Sequence, residues 1–404
     1  MKGIFEGIKV VDLTWVIVGP TVTKYLADQG STVVNVENMD HPCILRTSPP
    51  YRDKTSGINQ SGYFAQQNPN KLSLGLNLNH LEGREILKRL VKWSDVVAES
   101  FSPGVMERMG LSYEELRKIN PGIIHFHTSM LGHTGPRANI RGFGFQLVGY
   151  TGFTQVTGWP DRPPAQPYGP YTDPIAPRYI ASALVLALLY KRKTGRGVFI
   201  DVSQNETGLQ FMAPVLLDYQ VNERIKEREG NSSPYHAPHG TYPCKGEDCW
   251  VAIAITSDEE WTVFQEIVGE DWVWDDKFST LLDRKRNSVE LDFLISSWTI
   301  ESSAEDTMKL LQERCIPCGI VKNPCELIGD PQLAHRNAFW KLEHEPIGEH
   351  TTFAQPFILS KSPHIPPKPA DRLGEHTYYV CHEILGMPDE EITSLLGEGV
   401  LQTT

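Results

Sequence analysis

The chain has 404 residues, 40% of them apolar and 22% charged, and carries a formal net charge of −12. That length can bury two domain-sized cores, and the negative balance argues against general nucleic-acid affinity, so a polyanionic ligand needs a local basic patch working against the overall field. The longest apolar run, ALVLALLY from Ala183 to Tyr190, is far shorter than the roughly 20 residues that cross a bilayer, and seven scattered cysteines suit a reducing compartment rather than a disulfide framework; the expectation is a globular cytoplasmic protein with no membrane partner.

From the start of the chain, GIKVVDLT reads as a strand, WVIVGP as a turn ending at Pro20, TVTKYLADQ as a helix stopped by Gly30, and STVVNVE as a second strand. A strand, a helix and a strand in that order imply a parallel sheet. The turn lacks G-x-G-x-x-G and with it the close backbone approach that a pyrophosphate requires. Glu37 does end the second strand where a ribose-binding acid would sit, but a strand-terminal Glu is common on its own account. The pattern continues with LSLGLNL as strand, GREILKRLVKWS as helix, DVVAES as strand, SYEELRKIN as helix and GIIHFHTSM as strand. His125 and His127 alternate on that last strand and share a face, which permits a ligand pair; nothing near them in sequence completes one, so packing is the expected role. The glycine-rich GFGFQLVGYTGF at 142–153 is too apolar to cradle phosphate.

Within YGPYTDPIAPRYIASALVLALLYKRKTG, residues 168–195, Pro177 stands at a helix start, Lys191, Arg192 and Lys193 lie in the last turn, and Gly195 is the stop. Asp173 sits just ahead of that helix, and two roles are open to it. It can cap the first turn, or it can be a carboxylate kept ionised by the helix's positive end and available as a nucleophile in a dry pocket.

Charge, Ser, Pro and Gly displace apolar periodicity in NERIKEREGNSSPYHAPHG, 222–240, which reads as a linker. Beyond it GTYPC, CWVAIAI, EEWTVFQEIVG, SSAEDTMKLLQERC and GIVKN suggest a smaller α+β unit ending near 330. Cys244 with Cys249 and Cys315 with Cys318 could together hold zinc, but the first spacing is loose and no further ligand supports them. Small buried apolar residues are the better reading, and no metal is expected. The tail returns to strands and loops rich in Pro, FILSKSPHIPPKP, then closes on a final helix, EEITSLLGEG. The expected fold is therefore α/β, a large Rossmann-like layered domain with a smaller α+β domain. The large domain occupies 1–221, the small one with its linker 222–330, and 331–404 returns to the large one.

Several stretches in their order and spacing resemble the class III coenzyme A transferases, the CaiB/BaiF or formyl-CoA transferase type: VVDLTWVIVGPTVTKYLADQGSTVVNVE, NPNKLSLGLNL, SDVVAESFSPGVMERMGLSYEELRKINPGIIHFHTSMLGHTGP, YTDPIAPRYIASALVLALLYKRKTGRGVFIDVSQNE, HAPHGTYPCKGEDCWVAIAI and LGEHTYYVCHEILGMPDEEITSLL. The similarity covers essentially the whole chain. It implies that Asp173 is the nucleophile, attacking an acyl-CoA thioester to give an aspartyl anhydride and then an aspartyl-CoA thioester. It also implies that CoA thioesters are substrates and that no cofactor is permanently bound. Val16 and Leu76 match apolar residues lining the adenine pocket, Phe101 matches an aromatic beside the nucleotide, and Arg108 and Arg141 match basic residues near the phosphates, where surface pairing is the alternative. Family members often carry Arg, Lys and Asn where this chain has Asn38, Asn79 and Ser100. Ile17 stands where formyl-CoA transferase has Gln, which disfavours small polar acyl groups. With Trp15, Phe143, Phe145, Tyr150, Phe153 and Trp159 expected around the pocket or in the core, a larger apolar or aryl-substituted carboxylate fits better.

The run RTSPPYRDKTSGINQSGYFAQQNPNK is most like the branch containing succinyl-CoA:benzylsuccinate CoA-transferase, so a succinyl-CoA donor and a benzylsuccinate-like acceptor are expected. His239 and Gly240 fall where the family has a loop over the active site; Gly240 could let backbone N–H groups approach a reacting oxyanion or act as a hinge. An interlocked dimer, with an identical or a related chain, is implied by the resemblance alone. Two alternative functions are an acyl-CoA racemase, which would use Asp173 as an acid or base beside a His, and a noncatalytic CoA-binding subunit. The IRGFGF segment carries Arg141 and Phe143 where racemases carry that His, which weakens the first; the presence of Asp173 argues against the second.

Overall fold

The computed structural model describes residues 3–362 and 367–404. Six parallel strands form most of the main sheet: β1 (Lys9–Leu13), β2 (Thr32–Glu37), β3 (Leu72–Leu76), β4 (Val96–Glu99), β5 (Ile124–Ser129) and β6 (Phe199–Ser203). Three antiparallel strands, β7 (His239–Pro243), β8 (Trp250–Ala254) and β9 (Cys318–Ile320), make a second sheet, and β10 (Phe339–His344) pairs with β11 (Gly348–Phe353) as a hairpin. A short last strand, β12 (Leu401–Gln402), runs antiparallel to β3 and closes one edge of the main sheet. The fold is thus mixed α/β with a large, mainly parallel sheet.

The order of the main sheet is β12-β3-β2-β1-β4-β5-β6. From β1 the chain winds through β2 and β3 toward one edge, then returns to β4 on the other side of β1 and winds outward to the opposite edge. The carboxyl ends of β1 and β4 therefore flank the point where the winding reverses, the place where open α/β sheets receive ligands. Both faces of the sheet are covered, as parallel strands require. Val11, Leu13, Val34, Leu74 and Val97 pack into one apolar cluster, and Val10, Val33, Val96 and Ile124 into another that includes Ile180 and Leu184 of the helix Ala176–Thr194.

The chain separates into two compact units. The first comprises residues up to 153, 166–225 and from 332 onward; the second comprises 154–165 and 226–331. The smaller unit thus begins at 226 rather than 222 and recruits a short earlier segment that composition does not mark. Its core gathers Tyr242, Val251, Ile253, Trp261, Phe264 and Phe278 beneath its sheet. Cys244 and Cys318 are buried in that core, Cys249 is half-buried and Cys315 exposed. Among the described residues no group of three or more His, Cys, Asp or Glu is arranged to hold a metal, and no helix is long and apolar enough to cross a membrane.

Local differences from the sequence expectation have simple causes. The first helix spans Val18–Asp28 and so includes the VGP assigned to a turn; Pro20 fits there because amide groups in a helix's first turn need no intrahelical acceptor. Strands were expected in the tail without being placed, and the hairpin β10–β11 and β12 are those found there; strand β6 was not anticipated. Strand β6 is only partly buried and carries Asp201 at its centre, and β12 is two residues long. The Pro-rich tail segment falls partly at 363–366, outside the described residues.

Candidate active site

The turn Pro170–Ile175 delivers Asp173. Its backbone N–H donates to Pro170 O (2.8 Å), and the following helix begins at Ala176 behind Ile175, with Pro177 in its first turn and Gly195 in the left-handed region (φ 72) at its end. The carboxylate makes no capping bond to that helix, so of the two roles open in sequence the cap is not the one adopted. Only 6% of the residue is exposed, and the bond given for the carboxylate is a long one, Oδ1 accepting from Thr172 Oγ1 at 3.5 Å. Burial pushes its pKa up from 3.8 to about 7, with the Thr172 hydroxyl pulling weakly the other way. The helix end was expected to keep it readily ionised; burial instead raises the pKa, and among the described residues no backbone N–H donates to the carboxylate. A buried carboxyl raised toward neutrality in this way is a candidate functional group.

Two neighbours complete its surroundings. Gly144 opens the helix Gly144–Tyr150, and a methyl group built on its Cα would overlap Asp173 Oδ1 and the Pro170 ring; glycine is what lets the carboxylate sit there. Tyr63, on the helix Gly62–Gln67 capped by Ser61, has its phenol pKa raised first by burial and then by the negative charges of Asp173 and Tyr168. Neither Gly144 nor Tyr63 was singled out from sequence, because nothing in residue type or spacing links them to a carboxylate far along the chain.

Tyr63 also packs with Trp15, Val16 and Ile17 around Cys43, Leu45 and Phe64. These three residues form the turn after β1, at the reversal point of the sheet, and Trp15 meets Phe101 edge to face with centroids 6.3 Å apart. Phe101 follows β4 on the other side of that point. The structure therefore brings Asp173, Tyr63, Ile17, Val16 and Phe101 into one linked neighbourhood.

The buried floor of this region is polar, and its carboxylates are hydrogen-bonded. Asp12, in the middle of β1, accepts from Thr14 N–H (2.9 Å) and Thr14 Oγ1 (2.5 Å) with one oxygen, and from Thr23 Oγ1 (2.5 Å) and Lys71 Nζ (3.0 Å) with the other. At the end of β2, Glu37 is held by Arg46 through Nε (3.0 Å) and Nη2 (2.6 Å), while Arg46 donates to Asn59 and lies over the Phe64 ring. The ribose-type role considered for Glu37 is not its use here, since its carboxylate is spent on Arg46 and the Cys43 N–H. On β5, His125 behaves as a packing residue against Phe199, and burial drops its pKa to about 3. His127 does more, its Nδ1 lying 2.5 Å from Glu99 Oε1, as a buried imidazole beside a buried carboxylate requires.

The remaining expected positions fall as follows. Arg108 and Arg141 are both exposed and engage no carboxylate among the described residues. Leu76 ends β3 enclosed in the core at 1% exposure. Asn38 donates to Asn77 Oδ1 (3.2 Å), Asn79 is exposed with its N–H on the same Asn77 oxygen (3.0 Å), and Ser100 Oγ accepts the Trp15 N–H (2.8 Å). Phe143, Phe145 and Tyr150 are exposed, whereas Phe153 is buried. His239 and Gly240 lie in the smaller unit, on β7, where they line a cleft of about 500 Å³ together with Asn231, Ala252, Ala254 and Gly319; Trp159 is an exposed residue of that unit.

Comparison with known proteins bears on this arrangement. A model of CoA-transferase family III matches residues 5–377. The succinyl-CoA–D-citramalate CoA-transferase of Chloroflexus aurantiacus is 29% identical, the match covering 98% of each chain. The succinate–glutarate CoA-transferase of Agrobacterium fabrum is 30% identical over 94% of this chain and 95% of the relative. A CAIB/BAIF family protein from Brucella suis has a similar solved structure, with a TM-score of 0.87 at 28% identity, covering 95% of this chain and 100% of that one.

Proposed function

The chain belongs to CoA-transferase family III, an enzyme family that acts on CoA thioesters, and we propose that it moves CoA from succinyl-CoA to a dicarboxylic acid with an apolar body through covalent intermediates on Asp173. The observation that carries this reading is a nine-tenths buried carboxylate with no ion-pair partner among the described residues, its pKa raised to about 7 and its side chain seated against a glycine. In the proposed sequence, ionised Asp173 attacks the thioester carbonyl and expels the CoA thiolate, leaving an aspartyl-succinyl anhydride. The thiolate then attacks the Asp173 carbonyl, releasing succinate and forming an aspartyl-CoA thioester. The acceptor carboxylate attacks this thioester to give a second anhydride and thiolate, and the thiolate takes the acceptor acyl group, restoring Asp173. Carboxylate and thiolate alternate as attacking and leaving group, and over the whole cycle one carboxylate replaces another on CoA, so the thioester's energy is retained and no external energy source enters. Each intermediate is hydrolysable, and the shelter around Asp173 that raises its pKa also keeps water away.

Support for the donor comes from the relatives, two of which bear succinyl-CoA or succinate in their names. Support for an apolar acceptor comes from Ile17, which packs against the same buried cluster as Tyr63, since an aliphatic side chain cannot hydrogen-bond a small polar acyl oxygen. Benzylsuccinate is the acceptor of this type to test first. Val16 and Phe101 at the sheet's reversal point would contact the nucleotide, with Leu76 packed behind them, and Arg108 and Arg141 would meet its phosphates with charge not committed elsewhere. His239 and Gly240 would contribute from the smaller unit. The helix Ala213–Asn222 has no buried residue and exposes Leu216, Leu217, Tyr219 and Val221, which suits pairing with a second identical or related chain.

The test is an assay of CoA transfer from succinyl-CoA to benzylsuccinate, citramalate and glutarate, followed by hydroxylamine trapping and peptide mapping. A hydroxamate at Asp173 formed only with acyl-CoA present is the expected result. Transfer without any modification of Asp173 would overturn the covalent route.

A further inference from the structure

Three consecutive backbone amides after β1 each end on a side chain, and the three side chains come from different strand ends. The Thr14 N–H donates to Asp12 Oδ1 (2.9 Å), the Trp15 N–H to Ser100 Oγ (2.8 Å), and the Val16 N–H to Cys43 Sγ (3.4 Å). Val16 sits at φ 67, in the left-handed region that a β-branched residue enters only against steric resistance. Surrounding contacts must hold it there.

Both outlying ties are themselves anchored. Cys43 is 3% exposed, and its own N–H donates to Glu37 Oε1 (3.3 Å), a carboxylate locked by Arg46. Ser100 follows Glu99, whose Oε2 accepts the Phe101 N–H (2.8 Å) while Oε1 meets His127. The turn Thr14–Ile17 is thereby tied to the end of β2 through Cys43 and to the end of β4 through Ser100, across the point where the sheet's winding reverses. Ser100 is a position where sequence shows a departure from the family's usual residue, and the structure gives its hydroxyl a definite use.

Building on the reading that this chain transfers CoA through Asp173, we infer that Ser100 and Cys43 are positioning residues: they hold Trp15, Val16 and Ile17 in the single backbone shape that presents Val16 to the CoA donor and Ile17 to its acyl group. Neither residue performs chemistry. With one tie removed, the strained turn relaxes into shapes that do not receive the donor, and apparent affinity falls by the fraction of molecules so diverted. Once the donor is bound, the turn is restored and the chemical step proceeds. The property required is an acceptor atom at each position, so a substitution that keeps the acceptor keeps the function.

The experiment measures kcat and KM for succinyl-CoA in the wild type and in Ser100→Ala, Ser100→Thr, Cys43→Ala and Cys43→Ser. Each alanine variant is expected to raise KM about tenfold, the effect of one net hydrogen bond, with kcat within about threefold of wild type by the argument that bound donor restores the turn. Ser100→Thr and Cys43→Ser are expected to stay within about twofold in KM, since each retains an acceptor. Alanine variants with an unchanged KM, or threonine and serine variants as impaired as the alanines, would overturn the positioning role. If Ser100→Ala does not fold, the Cys43 pair decides on its own. A wild type that transfers CoA from no donor counts against the Asp173 reading; an active wild type with unaffected alanine variants counts against the positioning role alone.

Discussion

Replacing Asp173 with asparagine is expected to abolish CoA transfer and, above pH 7, to make the folded chain more stable. The two effects share a cause. Burial lifts the Asp173 pKa from 3.8 to about 7, so the folded state binds this proton more tightly than the unfolded chain does. Below pH 3.8 the group is protonated in both states and folding is unaffected. As pH rises through the window from 3.8 to about 7, the unfolded chain ionises freely while the folded one resists, and stability is lost until both are charged. At about 1.4 kcal/mol for each pH unit, the ionised carboxylate costs the native state about 4 kcal/mol at pH 8, a ceiling because the turn can relax around the charge. The side-chain amide in Asp173→Asn would be a neutral group of the same shape that can still accept from Thr172, so that cost disappears. Thermal unfolding at pH 8 should show the variant melting about 5 °C above wild type, with the gap shrinking as the pH is lowered toward 5. Equal melting points at pH 8, or a gap that does not depend on pH, would show that the carboxylate is not held unpaired in the native site.

The same pKa predicts that kcat/KM falls tenfold per pH unit below about pH 7, because only the ionised carboxylate attacks; a flat profile between pH 5.5 and 8 would contradict it. Gly144→Ala places a methyl group where Asp173 Oδ1 and the Pro170 ring lie, and a displacement of roughly 1 Å should lower kcat by about 100-fold, read in steady-state assays at saturating succinyl-CoA. Arg108→Ala and Arg141→Ala should each raise KM for succinyl-CoA several-fold with kcat nearly unchanged, and the loss should shrink at high salt if their charge acts on phosphate. Arg46→Met strands the buried Glu37 carboxylate and should cost about 3–5 kcal/mol in urea unfolding, most of which the double variant Glu37→Leu/Arg46→Met should recover.

The parallel architecture was legible because its signal is local. Strands β1 to β5 are short runs rich in apolar residues with helical segments between them, and each can be read without knowing its neighbours. Strand β6 escaped because Asp201 interrupts its apolar run, and β12 because two residues carry no period. Asp173 was legible as a candidate since turn-forming prolines and a helix start surround it in sequence. Proximity to a helix start suggested easy ionisation, while in the fold the carboxylate makes no capping bond to that helix and burial raises its pKa. Gly144, Tyr63 and Cys43 were illegible for a different reason. Their roles exist only because segments distant in the chain fold against them, and no periodicity encodes such a meeting.

That distinction bears on how an acidic chain can manage an anionic substrate. Around the reversal point Asp12 is paired with Lys71 and Glu37 with Arg46, while Glu99 is hydrogen-bonded by His127. Such pairs hold the strand ends in register but offer no free charge to a ligand. The carboxylate at Asp173 stands outside this network, and the exposed guanidinium groups of Arg108 and Arg141 pair with no carboxylate among the described residues. A matched floor is what makes the exceptions usable, because an unpaired acid next to a spare cation would be neutralised by it. Introducing a lysine at the packed Ile17 position should therefore pull the Asp173 pKa down toward the ordinary carboxylate range, shifting the acid limb of the kcat/KM profile to lower pH. It should also lower the rate at pH 8, since a carboxylate stabilised by a cation is a weaker nucleophile. A lysine variant whose pH profile is unmoved would mean that Ile17 does not share the reacting group's surroundings.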